Sequence, residues 1–216
     1  MTVSGEKVLF IGSHPDDIDL GCAICMHDHY LKNDRIKTMV LTRGEKGNGN
    51  VNSNRVLEEC KSFKILAPEA ENIFFDFPDT MLFHHMNEII EEIKNAVIGD
   101  VPDVVYIPSI HDFHQDHVVT YECAMAVFNS VKIRKIICYE TPSTMPGFSP
   151  NYFKVCDLDN FGIKVKAIKC HESQADKPYV DYETIYSIAK MRANQGRYHE
   201  GVAEAFEIIR FSEMVL

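Results

Sequence analysis

Apolar residues occur along this chain in two alternating patterns: short continuous runs, and longer stretches with a repeat close to 3.6 residues. The runs predict buried strands at residues 7–12, 36–42, 73–75, 104–107 and 133–139. The helical repeat predicts helices at residues 18–31, 54–66, 86–97 and 115–131. Because strands that alternate with helices form crossover units, we predict an α/β fold with a Rossmann-like, mostly parallel sheet and helices on both faces.

The pattern is less regular in the last third of the chain. It predicts a strand at 153–157, helices at 163–171 and 182–197, and an edge strand at 206–209. Segments 43–53 and 140–151 are rich in glycine, asparagine or proline, so they are predicted to be loops. With 216 residues and no internal repeat or linker, the chain is predicted to form one domain over residues 1–216.

Two clusters of histidine and acidic residues follow predicted strands, about a hundred residues apart. The first is His14-Pro15-Asp16-Asp17, and the second spans residues 111–117 with the sequence HDFHQDH. Ligands of open α/β sheets bind beyond the carboxyl ends of the strands. We therefore expect both clusters to form a single site at one edge of the sheet.

The residue types of these clusters indicate metal-assisted catalysis. A catalytic zinc usually keeps three protein ligands and one open position for water, and His14, Asp17 and His117 can supply those ligands. Asp16 is then free to take a proton from the water, whereas His114, one helical turn before His117, suits an acid or oxyanion stabiliser. Capping of the next helix is an alternative role for the two aspartates, but it does not explain the histidines.

Composition excludes several other classes of function. A formal net charge of -10 argues against nucleic acid or an anionic membrane as the main partner. The residues after the first strand, Gly12-Ser13-His14-Pro15, do not form the glycine-rich turn of a dinucleotide site. No apolar run approaches the ~18 residues of a membrane span, and no signal-peptide core precedes the first strand, so we expect a cytoplasmic protein.

The seven cysteines are odd in number and scattered, which favours reduced thiols. Cys22 and Cys25 form a CxxC pair, for which a small zinc site or a redox pair is one interpretation. No second ligand pair follows at zinc-finger spacing, so cysteines that are buried or without a function are the favoured interpretation.

The two clusters resemble the signature motifs of the PIG-L/LmbE-like zinc-dependent N-deacetylases: HPDD at residues 14–17, followed by Gly21, and HQDH at residues 114–117. Further segments match this family in the same order. They are TRGEKG at 42–47, RVLE at 55–58, PDVV at 102–105, KCHESQ at 169–174 and AEAF at 203–206. The resemblance therefore spans most of the chain.

The resemblance also implies roles for single residues. It implies that His14, Asp17 and His117 bind zinc and that Asp16 is the general base. His114 corresponds to the acid or oxyanion stabiliser, with Asp116 orienting it. Arg55, Arg43 and His171 are weaker candidates for substrate contacts; pairing of Arg55 with Glu58 or Glu59 on its helix, and a purely structural His171, are the alternatives.

The implied function is a metal-dependent N-deacetylase that converts an N-acetylglucosamine-type amino sugar or glycoconjugate to a free amine and acetate. A hydrolase acting on another N-acyl, ester or phosphoester bond is the first alternative, and a catalytically silent sugar-binding protein is the second. Two imidazoles and a carboxylate accept Fe(II), Mn or Co as well as Zn. The sequence leaves open whether the chain forms a homo-oligomer.

Overall fold

The computed structural model describes residues 5–47 and 54–213, and within them one seven-stranded sheet carries helices on both faces. The predicted α/β fold is confirmed. The strands are β1 (Lys7–Gly12), β2 (Arg35–Thr42), β3 (Glu71–Phe77), β4 (Val104–Pro108), β5 (Lys135–Tyr139), β6 (Tyr152–Cys156) and β7 (Val202–Phe211). The helices are α1 (Asp17–Leu31), α2 (Arg55–Leu66), α3 (Met86–Val97), α4 (Gln115–Phe128), α5 (Leu158–Ile168) and α6 (Tyr182–Gln195).

The order of the strands places the two clusters side by side. The sheet runs β3-β2-β1-β4-β5-β7-β6, and the first five strands of this order are parallel. Strand order reverses between β1 and β4, which are hydrogen-bonded neighbours. Such a reversal opens a crevice beyond the carboxyl ends of the two strands. The first cluster follows β1 and the second follows β4, so both border this crevice.

Successive residues of the central strands face opposite sides of the sheet and fill two separate cores. Val8 and Phe10 pack with residues of α1, α2 and α5 on one face. Leu9 and Ile11 pack with residues of α3 and α4 on the other. All four are at most 2% exposed, which explains why β1 reads as a continuous apolar run rather than an alternating one.

The prediction of an edge strand at residues 206–209 was wrong. β7 has ten residues and lies inside the sheet, antiparallel to both β5 and β6, so that β6 forms the edge. Hydrogen bonds to both neighbours protect it, and Val202 to Phe206 are buried as in a central strand.

Helix bounds differ from the predictions where local capping decides them. α5 begins at Leu158, five residues before its predicted start, because the carboxylate of Asp157 accepts the N–H of Asn160 and caps the helix. α4 ends at Phe128 rather than residue 131.

Of the predicted loop 43–53, residues 48–53 lie outside the described part. Among the described residues, no helix has both the length and the apolar character that a membrane span requires.

Candidate active site

The first cluster forms the turn between β1 and α1. Asp16 occupies the N-cap position of α1 with φ 100° and ψ -21°, and its side chain makes no capping hydrogen bond. Asp17 instead turns back: its Oδ2 accepts the backbone N–H groups of Ser13 (2.9 Å) and His14 (2.8 Å). Helix capping alone therefore does not account for either aspartate.

The three predicted metal ligands come together in the structure. Asp17 Oδ2 lies 3.4 Å from His14 Nδ1, and Asp17 Oδ1 lies 3.2 Å from His117 Nε2. All three side chains are buried. One ring nitrogen from each of His14, His114 and His117 lies within 4.8 Å of the other two. His114 is thus close enough to the other two histidines to be a further metal ligand.

His14 and His117 each have a carboxylate against the ring nitrogen that does not face Asp17. His14 Nε2 lies 3.2 Å from Asp79 Oδ1 and 3.2 Å from Asp116 Oδ2. His117 Nδ1 lies 3.1 Å from Asp112 Oδ2. Carboxylates placed in this way fix the ring orientation and raise the basicity of metal-binding histidines. Sequence reasoning missed Asp79, although it follows the end of β3 at the same sheet edge, and it assigned no role to Asp112 within the second cluster.

Asp116 contacts two of the three histidines of the site, His14 and His114, by different groups. Its carboxylate faces His14 and also accepts the backbone N–H groups of Thr80 (2.7 Å) and Leu82 (3.4 Å). Its backbone N–H donates to Nδ1 of His114 at 3.3 Å. The contact of Asp116 with His114 is therefore made by the main chain, while the side chain orients His14.

The excess of carboxylates controls the charge of the site. Burial lowers the pKa of a histidine, but here the charge of Asp17 and hydrogen bonds to carboxylates outweigh it. They raise the pKa of His14 well above its usual value and that of His117 to about 9. Burial raises the pKa of Asp17, but these two histidines outweigh it and hold that pKa well below its usual range. The carboxylates thus favour two positive charges in their midst, and a divalent cation supplies the same charge.

Arg55 holds the first cluster in place from α2. Its Nη2 lies 3.0 Å from Asp16 Oδ1 and donates to the carbonyl oxygen of Pro15 at 2.5 Å. Its Nη1 donates to the carbonyl oxygen of Gly44 at 2.9 Å. Arg55 thus binds residues outside its own helix. Glu58, one of its predicted partners on α2, instead accepts the N–H and the hydroxyl of Ser173 (2.9 and 2.6 Å).

A cavity of about 340 Å³ opens over the site, within the size range of small-molecule pockets. Its lining includes the three predicted ligands, Asp16, His114 and Arg55; among the other lining residues are Lys46, Thr80, Ser143, Gln174 and Tyr179. Arg43 and His171 are not among the lining residues. Arg43 pairs on the surface with Asp76 (2.5 Å), and His171 is buried with its Nε2 2.5 Å from Asp19 Oδ2.

The CxxC pair is not among the residues that line this cavity; it lies on the buried face of α1. Cys22 and Cys25 are at most 1% exposed, and the thiol of Cys25 donates to the hydroxyl of Tyr106 at 3.0 Å. Burial raises the pKa of Cys25 to about 12. All seven cysteines lie in the described residues and are free; four of them are buried, and Cys60, Cys156 and Cys170 are half-buried.

A model of the PIG-L family, GlcNAc-PI de-N-acetylase, matches residues 9–128, which contain both clusters. The chain belongs to the PIG-L family. The uncharacterized deacetylase YaiS of Escherichia coli K12 is 32% identical to it over 173 residues, which cover 78% of this chain and 91% of YaiS. These matches identify the chain as an enzyme of the deacetylase class.

Solved structures share the fold at lower identity. The N,N'-diacetylchitobiose deacetylase of Pyrococcus horikoshii superimposes with a TM-score of 0.74 at 20% identity, over 94% of this chain and 84% of that one. GalB, the 4-carboxy-2-hydroxymuconate hydratase of Pseudomonas putida KT2440, does so with a TM-score of 0.74 at 17% identity, over 98% and 100%. Since a hydratase shares this fold, the fold alone does not decide the reaction.

Proposed function

We propose that the protein is a zinc-dependent N-deacetylase that hydrolyses the acetamide of an N-acetylglucosamine-type sugar or conjugate to a free amine and acetate. One observation carries the proposal. His14, Asp17 and His117 converge at the base of a cavity that Asp16 also lines, and Asp16 has a carboxylate oxygen without a partner among the described residues. Metal-assisted hydrolysis of an amide requires this arrangement: three metal ligands beside a carboxylate that can accept a proton.

The residues present fit a metal ion. His117 Nε2 is buried and, although near Asp17 Oδ1, makes no hydrogen bond of good geometry within the described residues. An orphaned buried nitrogen is unfavourable unless a ligand satisfies it. The donor set of two imidazoles and a carboxylate suits Zn, and it also accepts Fe(II), Mn or Co. When bound, the ion supplies Lewis acidity, which acidifies water and polarises a carbonyl oxygen.

Asp16 is the proposed general base. Its Oδ1 pairs with Arg55 while its Oδ2 has no partner in the described structure, so one oxygen is anchored and the other can accept a proton. Burial raises the pKa of Asp16, and the charge of Arg55 limits the rise. A carboxylate tuned upward in this way can take a proton from water and return it to the departing amine nitrogen.

His114 is the proposed acid or oxyanion stabiliser. Because its Nδ1 accepts the N–H of Asp116, the proton of the neutral ring lies on Nε2, which is then a donor. Burial lowers the pKa of His114, and the charges of His14 and His117 lower it further. A neutral imidazole that lines the cavity can thus donate a hydrogen bond to an oxygen that becomes negative.

We further propose a small acetylated sugar or glycoconjugate as substrate and a cytoplasmic location. The cavity volume of about 340 Å³ suits one sugar ring together with its acetamide. Seven free thiols are typical of a reducing compartment.

Acetate release from N-acetylglucosamine, N,N'-diacetylchitobiose and an N-acetylglucosaminide tests the proposal. Hydrolysis of p-nitrophenyl acetate and of p-nitrophenyl phosphate tests the ester and phosphoester alternatives. Asp16→Asn is expected to lower kcat by about 10²–10⁴-fold while metal content stays unchanged. Asp76→Asn, at an exposed carboxylate on β3, is the matched control. An Asp16→Asn protein that binds zinc and keeps nearly full activity would contradict the assignment of the base.

A further inference from the structure

One turn of α2 holds both ends of the peptide group that joins Pro15 to Asp16. Arg55 Nη2 donates to the carbonyl oxygen of Pro15 at 2.5 Å. Glu59 Oε2 accepts the N–H of Asp16 at 2.9 Å. Arg55 and Glu59 are four residues apart and so share one face of the helix. With its carbonyl and its N–H both fixed, this peptide group cannot rotate freely.

Asp16 needs such restraint because its backbone is in an unfavourable conformation. Its φ of 100° lies in the left-handed region, which residues with a Cβ rarely adopt. Rotation of the peptide group toward negative φ would change the direction of the Asp16 side chain. The position of the proposed base therefore depends on the hydrogen bonds that hold its main chain.

Glu59 is itself held by buried neighbours. It is 0% exposed, its Oε2 lies 3.3 Å from His171 Nε2, and the same nitrogen lies 2.5 Å from Asp19 Oδ2. Burial, together with the charges of Asp19 and Asp16, raises the pKa of Glu59 well above its usual value. An uncharged acceptor at position 59 is consequently compatible with this environment.

We propose that Glu59 is a positioning residue: it accepts the N–H of Asp16, keeps Asp16 in its left-handed conformation and thereby aims the carboxylate of the base into the cavity. His171 acts one step further away, by fixing the carboxyl group of Glu59. In this proposal His171 supports Glu59 and does not contact the substrate. The catalytic part of the inference rests on the proposed function, whereas the conformational part does not.

Two variants of similar size separate hydrogen bonding from packing. Glu59→Gln keeps an oxygen that can accept the N–H of Asp16, and Glu59→Met fills the space without an acceptor. The Gln variant is expected to keep kcat within about threefold, and the Met variant to lose about 10- to 100-fold, the ordinary effect of losing one buried hydrogen bond. KM and zinc content should stay within about twofold in the Gln variant, because substrate and metal contacts are unchanged there, and kcat of the Met variant is compared at full zinc occupancy.

Crystal structures of both variants give a readout that does not depend on activity. We expect φ of Asp16 to remain positive in the Glu59→Gln protein and to become negative in the Glu59→Met protein. Positive φ in both variants, or equal kcat in both, would overturn the inference. If the Met variant does not fold, Glu59→Asp, whose carboxylate is one methylene shorter, is expected to show the same changes. If the wild type releases no acetate, the proposed function fails, and the φ comparison still tests the role of Glu59.

Discussion

Glu204 on strand β7 and Lys164 on helix α5 form a buried ion pair, and both residues bind the main chain of helix α1. Glu204 Oε1 accepts from Lys164 Nζ (2.8 Å) and from the N–H of Ile24 (3.0 Å), and its Oε2 accepts the N–H of Cys25 (2.9 Å). Lys164 also donates to the carbonyl oxygen of Leu20 at 2.6 Å. Both charged residues are at most 6% exposed. Because α1 begins with Asp17, this pair stabilises the helix that presents a predicted metal ligand.

Removal of one partner is expected to be costly. Glu204→Ala leaves the ammonium of Lys164 buried without its carboxylate and removes the acceptor of two backbone N–H groups. Breaking a buried pair in this way costs about 3–5 kcal/mol, which for a chain of this length lowers Tm by roughly 6–20 °C. Glu204→Gln keeps one acceptor oxygen but loses the charge and replaces the other oxygen with an NH2 donor, so a smaller cost, about half of that of Glu204→Ala, is expected.

Urea unfolding followed by circular dichroism measures these differences, with matched Lys164→Met and Lys164→Met/Glu204→Ala proteins. The double substitution removes the uncompensated charge, so it is expected to cost at least about 1 kcal/mol less than the sum of the two single substitutions. Glu204→Ala with a cost below about 1 kcal/mol, or strictly additive effects, would refute the reasoning.

Three further predictions concern the site and its support. Asp112→Asn takes the carboxylate from His117 Nδ1 and should weaken zinc binding by about 10- to 100-fold in a chelator competition; unchanged affinity would count against this role. Gly21→Ala would place a Cβ in steric overlap with the Tyr139 ring and should lower the free energy of unfolding in urea by about 1–3 kcal/mol; an unchanged value would contradict the close packing. Among the described residues, Arg43→Ala removes an exposed ion pair with Asp76, so kcat/KM should change less than about twofold; a larger loss would support a substrate contact.

The sequence determined which residues meet at the site and at which edge of the sheet they do so. The apolar run of β1 ends in His14 and the run of β4 leads to His117, and parallel strands bring their carboxyl ends to one sheet edge. This is why the meeting of His14, Asp17 and His117 could be predicted from strand patterns and residue types. The resemblance of the two motifs to a known family added roles for Asp16 and His114.

Other features depended on tertiary structure, because periodicity shows which side of an element is buried but not which segment covers it. Asp79 reaches His14 across 65 positions of the chain, and Glu59 reaches Asp16 across 43. The place of β7 inside the sheet likewise depends on its pairing with both β5 and β6. The sequence by itself therefore determined which residues could form the site, whereas long-range packing decided which carboxylates orient the histidines and what holds the base in place.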